Sequence, residues 1–139
     1  MGIFYCNNSS MKNKILCIDF GTKNIGLAVS DNDQILSFAK KVIKADEKLT
    51  ENLRQFIETE KIDSILVGSP HTGNSDFNLA QFCQLLENEF KLPVAVINED
   101  YSTSDAFEKM EQLGLSKLEM QNMKDAYAAQ VMLEKFLNS

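Results

Sequence analysis

Two hydrophobic periods run along the chain and predict alternating strands and helices. Short apolar runs bounded by turn residues predict five strands, and apolar residues at helical spacing predict four helices. The predicted strands cover residues 15–20, 24–30, 34–43, 64–67 and 93–97. The predicted helices cover residues 46–60, 77–90, 106–113 and 117–137.

The order of these elements predicts one mixed α/β sheet. The first three strands follow each other through tight turns, so they should pair antiparallel. The last two are each preceded by a helix, which is typical of strands that run parallel to a neighbour. We therefore expect a five-stranded sheet in the order 3-2-1-4-5 with helices packed on its faces. Gly21 and Gly26 are expected to serve the backbone geometry of the first hairpin.

Acidic residues stand at the ends of the first and fifth predicted strands. Asp19 follows a buried-looking run, and Glu99 and Asp100 follow the last strand. Ligands of such sheets bind at the carboxyl ends of the parallel strands. The sequence alone leaves a simpler reading open for each residue, with Asp19 capping a tight turn and Glu99 a solvated loop acid.

The last predicted helix contributes a third acid. At 100° per residue, Asp125 shares a face with Leu118, Ala129, Met132 and Phe136. A carboxylate on an apolar face is costly unless it is paired or binds a metal. Pairing with a neighbouring lysine at the surface remains the alternative. Three carboxylates converging from distant segments would suit a pair of divalent ions, with Mg²⁺ or Mn²⁺ favoured by an all-oxygen site.

Composition restricts the alternatives. The chain has 139 residues and a net charge of −6, which fits one domain and argues against a protein that coats nucleic acid indiscriminately. His71 is the only histidine and no CxxC occurs, so a zinc site is not expected.

The three cysteines form no regular pattern, and Cys17 and Cys83 are expected in the core. No apolar run is long enough for a membrane span. We expect a cytoplasmic protein, with residues 1–12 a disordered extension and residues 13–139 a single domain.

Four segments together resemble one protein family. They read IDFGTKNIGLAVSD, VGSPHTG, NEDYSTSDA and KDAYAAQVMLEKFL, in this order, within residues 13–137. They resemble the bacterial YqgF/RuvX family of RNase H-fold proteins, described as Holliday junction resolvases or pre-16S rRNA nucleases. The first and last segments are the specific ones.

The resemblance implies an RNase H-like fold and a metal-dependent endonuclease that hydrolyses phosphodiester bonds in structured nucleic acid. The family's catalytic and metal-binding acids fall on Asp19, Glu99 and Asp125, with Asp100 a further candidate ligand for Mg²⁺ or Mn²⁺. The implied partner is an RNA precursor or branched DNA, bound by a monomer or weak homodimer. The expected substrate-binding residues are Gly21, Thr22, Lys23, His71, Ser102, Thr103 and Lys124.

Two departures from the family pattern keep other functions open. Asp100 and Tyr101 replace an arginine and an aliphatic residue that usually follow the glutamate, so a cation that would contact phosphate has become an acid. One alternative is therefore a catalytically weak module that binds nucleic acid or protein. Another is a phosphotransferase of the actin/hexokinase type, which shares an Asp-x-Gly-Thr hairpin. Such enzymes hold ATP between two domains, and this chain supplies one.

Overall fold

The structure, a computed structural model, describes residues 2–5, 11, 13–21, 23–68, 76–98 and 103–138. Six strands form one sheet with the order β1-β6-β5-β2-β3-β4. The strands are β1 (Gly2–Tyr5), β2 (Ile15–Asp19), β3 (Asn24–Ser30), β4 (Ser37–Lys44), β5 (Ser64–Gly68) and β6 (Val94–Asn98). The helices are α1 (Leu49–Glu60), α2 (Asp76–Phe90), α3 (Thr103–Gln112) and α4 (Lys117–Leu137).

The five predicted strands are present in the predicted order. Strands β2, β3 and β4 pair antiparallel, and β5 runs parallel to both β2 and β6. Read from β4, the sequence of strands β4-β3-β2-β5-β6 is the expected 3-2-1-4-5 arrangement. The predicted limits of the last helix agree with those of α4.

A sixth strand corrects the prediction for the N-terminus. Residues 1–12 were expected to be disordered, but Gly2–Tyr5 forms β1 and pairs antiparallel with β6. Isoleucine, phenylalanine and tyrosine favour strands, and the outer edge of β6 offers unpaired backbone groups. The residues of β6 that offer these groups lie 90 to 96 positions further along the chain, so the local sequence does not reveal the pairing.

The two faces of the sheet carry separate cores. On one face, residues of β2, β3, β5 and β6 pack against α1 and α2, with Leu53, Phe82 and Leu86 among the buried helix residues. On the other face, Ile15, Cys17 and neighbouring strand residues pack against α4. Strand residues alternate between these cores, as the two-residue period of a strand requires. Asp19 continues the alternation of Ile15 and Cys17, and therefore belongs to the α4 face.

Helix α4 crosses its face of the sheet, and α3 packs against it. Ala126, Ala128 and Ala129 are buried, so small residues bring the helix close to the strands. Leu118, predicted on the same apolar face, is 67% exposed, and that part of the prediction is wrong. It lies in the first turn of α4, about 10 Å before Asp125 along the helix axis. Periodicity identifies the apolar face of a helix but not the residue at which that face begins to pack against the rest of the protein. Among the described residues, no helix has both the length and the hydropathy of a membrane span.

The start of α4 is fixed by a reciprocal pair of hydrogen bonds. The Glu119 amide donates to Ser116 Oγ over 3.2 Å, and the Ser116 amide donates to Glu119 Oε1 over 3.0 Å. The hydrogen bonds from Ser116, that of its backbone amide first, lower the pKa of Glu119 from its usual value near 4.5. Because the pKa of Glu119 is lower in the folded state, its ionised form stabilises the fold above about pH 4.5. This stabilisation is lost as the pH falls through the lowered pKa.

We predict that Ser116→Ala lowers the free energy of unfolding by about 1 kcal/mol at pH 7, the usual effect of losing a helix cap. Urea unfolding measures it, with Lys117→Ala, at the exposed next position, as the control. The difference between parent and Glu119→Gln should shrink below about pH 4.5 because protonated Glu119 no longer accepts as strongly from the Ser116 amide. A difference that grows on acidification would contradict the role assigned to this cap.

Candidate active site

Asp19 is a buried acid at the carboxyl end of a central strand. It is 8% exposed and ends β2, between Ile18 in one core and a turn. Its register partners on the two neighbouring strands are Gly26 of β3 and Gly68 of β5. Residues paired in register project to the same face of a sheet. Asp19 is therefore flanked on the α4 face by two positions without a side chain.

Phe20 fixes the backbone that carries this acid. Its amide donates to the Gly68 carbonyl over 3.1 Å, which continues the pairing of β2 with β5 for one residue beyond Asp19. Its ring stacks on Phe82 of α2, with centroids 4.7 Å apart and planes inclined by 24°. Asp19 is thus held between a strand and an anchored aromatic residue, and its side chain is presented on the opposite face.

Asp125 approaches the same place from α4. A methyl group added at Gly26 would overlap the backbone carbonyl of Asp125 and lie 2.7 Å from the amide nitrogen of Ala126. Gly26 is in turn the cross-strand partner of Asp19, at a typical separation of about 5 Å between α-carbons. Asp19 and Asp125 therefore lie on either side of one glycine, and Asp125 is half-buried there. The backbones of these two residues therefore come close together, and their assignment as catalytic acids stays a prediction.

The charge of Asp19 is felt by the residue beneath it. Cys17 is fully buried two positions earlier on the same face. Burial raises the pKa of the Cys17 thiol well above its usual value, and the nearby negative charge of Asp19 raises it further. Cys17 is consequently an inert thiol in the core, as is buried Cys83, and both agree with the prediction.

The predicted substrate-binding residues that the structure describes lie around this end of the sheet. Gly21 forms the tight turn after β2, where a methyl group would overlap the Asn24 carbonyl. Lys23 is exposed in the same turn, and its carbonyl accepts from the Ala45 amide over 2.8 Å. Lys124 is exposed next to Asp125, and Thr103 is the first residue of α3.

Five predicted residues lie outside the described part of the chain, namely Thr22, His71, Glu99, Asp100 and Ser102. Strand β6 ends at Asn98, immediately before Glu99. Within residues 2–5, 11, 13–21, 23–68, 76–98 and 103–138, no three potential metal ligands are grouped together. The third acid of the expected set thus remains a prediction.

Sequence reasoning missed two features of this site. Gly26 was expected to serve the geometry of the first hairpin, but at its position in β3 it accommodates the backbone of α4. No role for Lys44 is predicted from the sequence, but the register of β4 pairs it with Asn24 at the Asp19 end of the sheet. A register shift between Leu27 and Ala28 contributes to this pairing. Simple counting along β4 does not predict such an irregularity.

We predict that Phe20→Ala lowers the free energy of unfolding by about 3 kcal/mol, at the low end for such a truncation because Phe20 is half-buried. The loss combines the ring stack on Phe82 with the remaining core contacts. Phe107→Ala on α3, where the ring is 42% exposed, is the control and should change it by less than 1 kcal/mol. Equal losses in denaturant unfolding would show that Phe20 is no anchor.

Comparison with known proteins identifies the family. The family model described as "RuvX: Holliday junction resolvase" matches residues 13–139. A "Putative pre-16S rRNA nuclease" of Maridesulfovibrio salexigens is 34% identical over 131 residues, which cover 89% of this chain and 97% of that protein. The protein with the same description from Geobacillus sp. is 33% identical, with 91% and 98% of the two chains covered.

Solved structures agree on the fold at much lower identity. The resolvase of Fowlpox virus in complex with Holliday junction DNA has a TM-score of 0.58 and 13% identity, and the match covers 91% of this chain and 99% of that one. RuvC of T. thermophilus with a Holliday junction substrate has a TM-score of 0.56 and 14% identity, over 92% and 94%. Both share the mixed sheet with flanking helices that places Asp19 beside α4. The family match and the two sequence relatives together show that this chain belongs to the RuvX family of Holliday junction resolvases.

Proposed function

We propose that this chain is a metal-dependent endonuclease that hydrolyses phosphodiester bonds in structured nucleic acid. The observation that carries the proposal is the position of Asp19 and Asp125 on either side of Gly26. Two acids on neighbouring backbones at the carboxyl end of a central strand can share one divalent cation, which compensates their like charges. Glu99, which follows β6 directly, is the proposed third acid of this set.

The residues present fit a hard divalent cation. Asp19 is a nearly buried carboxylate and Asp125 a half-buried one, and oxygen ligands of this kind suit Mg²⁺ or Mn²⁺ better than zinc. Asp19, Asp125 and Glu99 would hold the ion, with Asp100 as a further candidate. A bound divalent ion supplies a water of lowered pKa and stabilises the leaving oxygen of the cleaved bond.

The chain itself contributes orientation to this chemistry. Phe20 holds the end of β2 in place, so the Asp19 carboxylate has a fixed direction before substrate arrives. Helix α4 holds Asp125 through its backbone contact with Gly26. Groups held in position before the reaction lose little entropy in the transition state. Asp19 and Asp125 are therefore carried by a strand and a long helix.

We favour an RNA precursor over a DNA junction as the substrate. The relatives described as pre-16S rRNA nucleases are 33–34% identical over about nine-tenths of the chain. The structures with Holliday junction DNA share only 13–14% identity, which supports the fold and not the substrate. Cleavage of a 5′-extended 16S rRNA precursor and of a four-way DNA junction by one preparation, with and without Mn²⁺, decides between them. Binding of either without cleavage would support a binding module instead.

A group of lysines supports binding of a nucleic-acid backbone near Asp19. Lys23 lies in the turn after β2, Lys124 precedes Asp125, and Lys44 ends β4 opposite Asn24. Lys44 alternates with buried Ile43 of the other core, so it lies on the α4 face with Asp19. These three exposed lysines have no ion pair among the described residues. In contrast, Lys14, Arg54, Lys109 and Lys135 are each paired with an acid.

We predict that Asp125→Asn lowers the cleavage rate by roughly two orders of magnitude or more, the usual effect of losing one charge that acts in the transition state. The metal-free variant should unfold at the same or a higher urea concentration than the parent, because one of two neighbouring negative charges is gone. Glu111→Gln on α3 is the matched control, since Glu111 is exposed.

The opposite pattern has a clear meaning for the assignment. If Asp125 were a surface acid that only stabilises the helix, Asp125→Asn would lose a little stability and cleave at the parental rate. That outcome would remove Asp125 from the proposed catalytic set.

We predict that Lys44→Gln weakens RNA binding and lowers the slope of log affinity against log salt concentration by about 1, because one phosphate contact is lost. Lys41→Gln is the matched control on the same strand. Lys41 is exposed and lies on the opposite face, in register with Leu27 of the other core. Equal effects of both substitutions would mean that RNA is not bound specifically on the α4 face near Asp19. Affinity of the parent that does not depend on salt would favour a protein partner.

A further inference from the structure

Asp19 lies between two glycines, and different groups of α4 occupy the space above each of them. Gly26 and Gly68 are its partners on the two neighbouring strands, and all three positions face α4. The space beside Gly26 is occupied by backbone, the carbonyl of Asp125 and the amide of Ala126. The space beside Gly68 is occupied by the side chain of Met132, with its sulfur and terminal methyl nearest.

This difference determines which contact can yield. A methionine side chain has three rotatable bonds and adapts to a new neighbour at small cost. Helix backbone cannot move at one residue without moving the turn that contains it. An added methyl group at Gly26 would overlap the carbonyl of Asp125, whereas one at Gly68 would meet only the far end of Met132. The contact of α4 with Gly26 is therefore rigid, and its contact with Gly68 is adaptable.

The rigid contact at Gly26 is made by one of the two acidic residues. The residue of α4 that contacts Gly26 is Asp125 itself, and the strand partner of Gly26 is Asp19. Any side chain at position 26 would therefore separate the two backbones that carry the acids. Displacements of about 1 Å at such a site are enough to impair ligand binding and catalysis strongly.

We propose that Gly26 is a positioning residue that sets the distance between the carboxylates of Asp19 and Asp125, and thereby the affinity of the site for a divalent cation. This inference rests on the proposed metal site. It assigns to Gly26 a function in binding as well as in packing. It also assigns Gly68, on the other side of Asp19, to packing alone.

The test is a compensation experiment, read as Mn²⁺ affinity by isothermal titration calorimetry. Gly26→Ala should weaken Mn²⁺ binding at least about tenfold by moving Asp125 away, and Asp125→Glu should weaken it in the parent because the longer side chain overreaches. In the double variant the longer side chain spans the widened gap, so binding should recover most of the loss. Gly68→Ala is the matched control and should bind Mn²⁺ within about threefold of the parent.

A purely structural role for Gly26 predicts a different pattern. Gly26→Ala would then lower stability but leave Mn²⁺ affinity unchanged, or the two losses would simply add in the double variant. Either result overturns the inference. If Gly26→Ala does not fold, Ala129→Val replaces it, since fully buried Ala129 lies one turn from Asp125 and a larger side chain there also raises the helix. The same recovery with Asp125→Glu is expected, and its absence would refute the proposal.

The failure of the underlying site gives a separate signal. If Asp125→Asn binds Mn²⁺ as tightly as the parent, the proposed metal site itself is wrong. If Asp125→Asn abolishes binding while Gly26→Ala leaves it unchanged, only the positioning role of Gly26 is wrong.

Discussion

The close approach of helix α4 to strand β3 is the constraint on which the rest of the structure depends. Side chains normally separate a helix from the sheet on which it packs, but at Gly26 the helix backbone itself reaches the strand. The buried alanines at 126, 128 and 129 extend this contact along the helix. Because β3 pairs with β2 in a fixed register, the height of α4 above the sheet also fixes where its acid lies relative to Asp19.

The same constraint explains why the acids are placed on different kinds of element. The end of a strand holds an acidic side chain in a fixed direction. It does not by itself bring a second acid close to it on the same face of the sheet. A helix laid across the strands brings a second acid from above, with its own backbone hydrogen bonds already satisfied. The cost is two acids of like charge whose backbones lie close together. Such an arrangement gains little for folding, which is why we assign it to function.

Much of this was accessible from the sequence because the signals are local. Short apolar runs identify five strands, and the tight turns and intervening helices determine their order. Asp19 and Asp125 stand out because each is a charge where the surrounding pattern is apolar. What could not be predicted depends on partners distant in sequence. The exposure of Leu118 depends on where the sheet ends, the position of Lys44 on a register shift in β4, and the purpose of Gly26 on which residue of α4 meets it.

Strand β1 has a consequence for how the chain is assembled. It is synthesised before the other strands, yet its partner β6 begins at Val94, and Gly2 pairs with Asn98. Closing so long a loop is slow compared with forming the β2–β3 hairpin, whose strands are joined by a few residues. During synthesis β1 must wait until β6 has emerged. The first of these strands to be made is therefore the last to enter the sheet, and until then the edge beside β6 stays open to other chains.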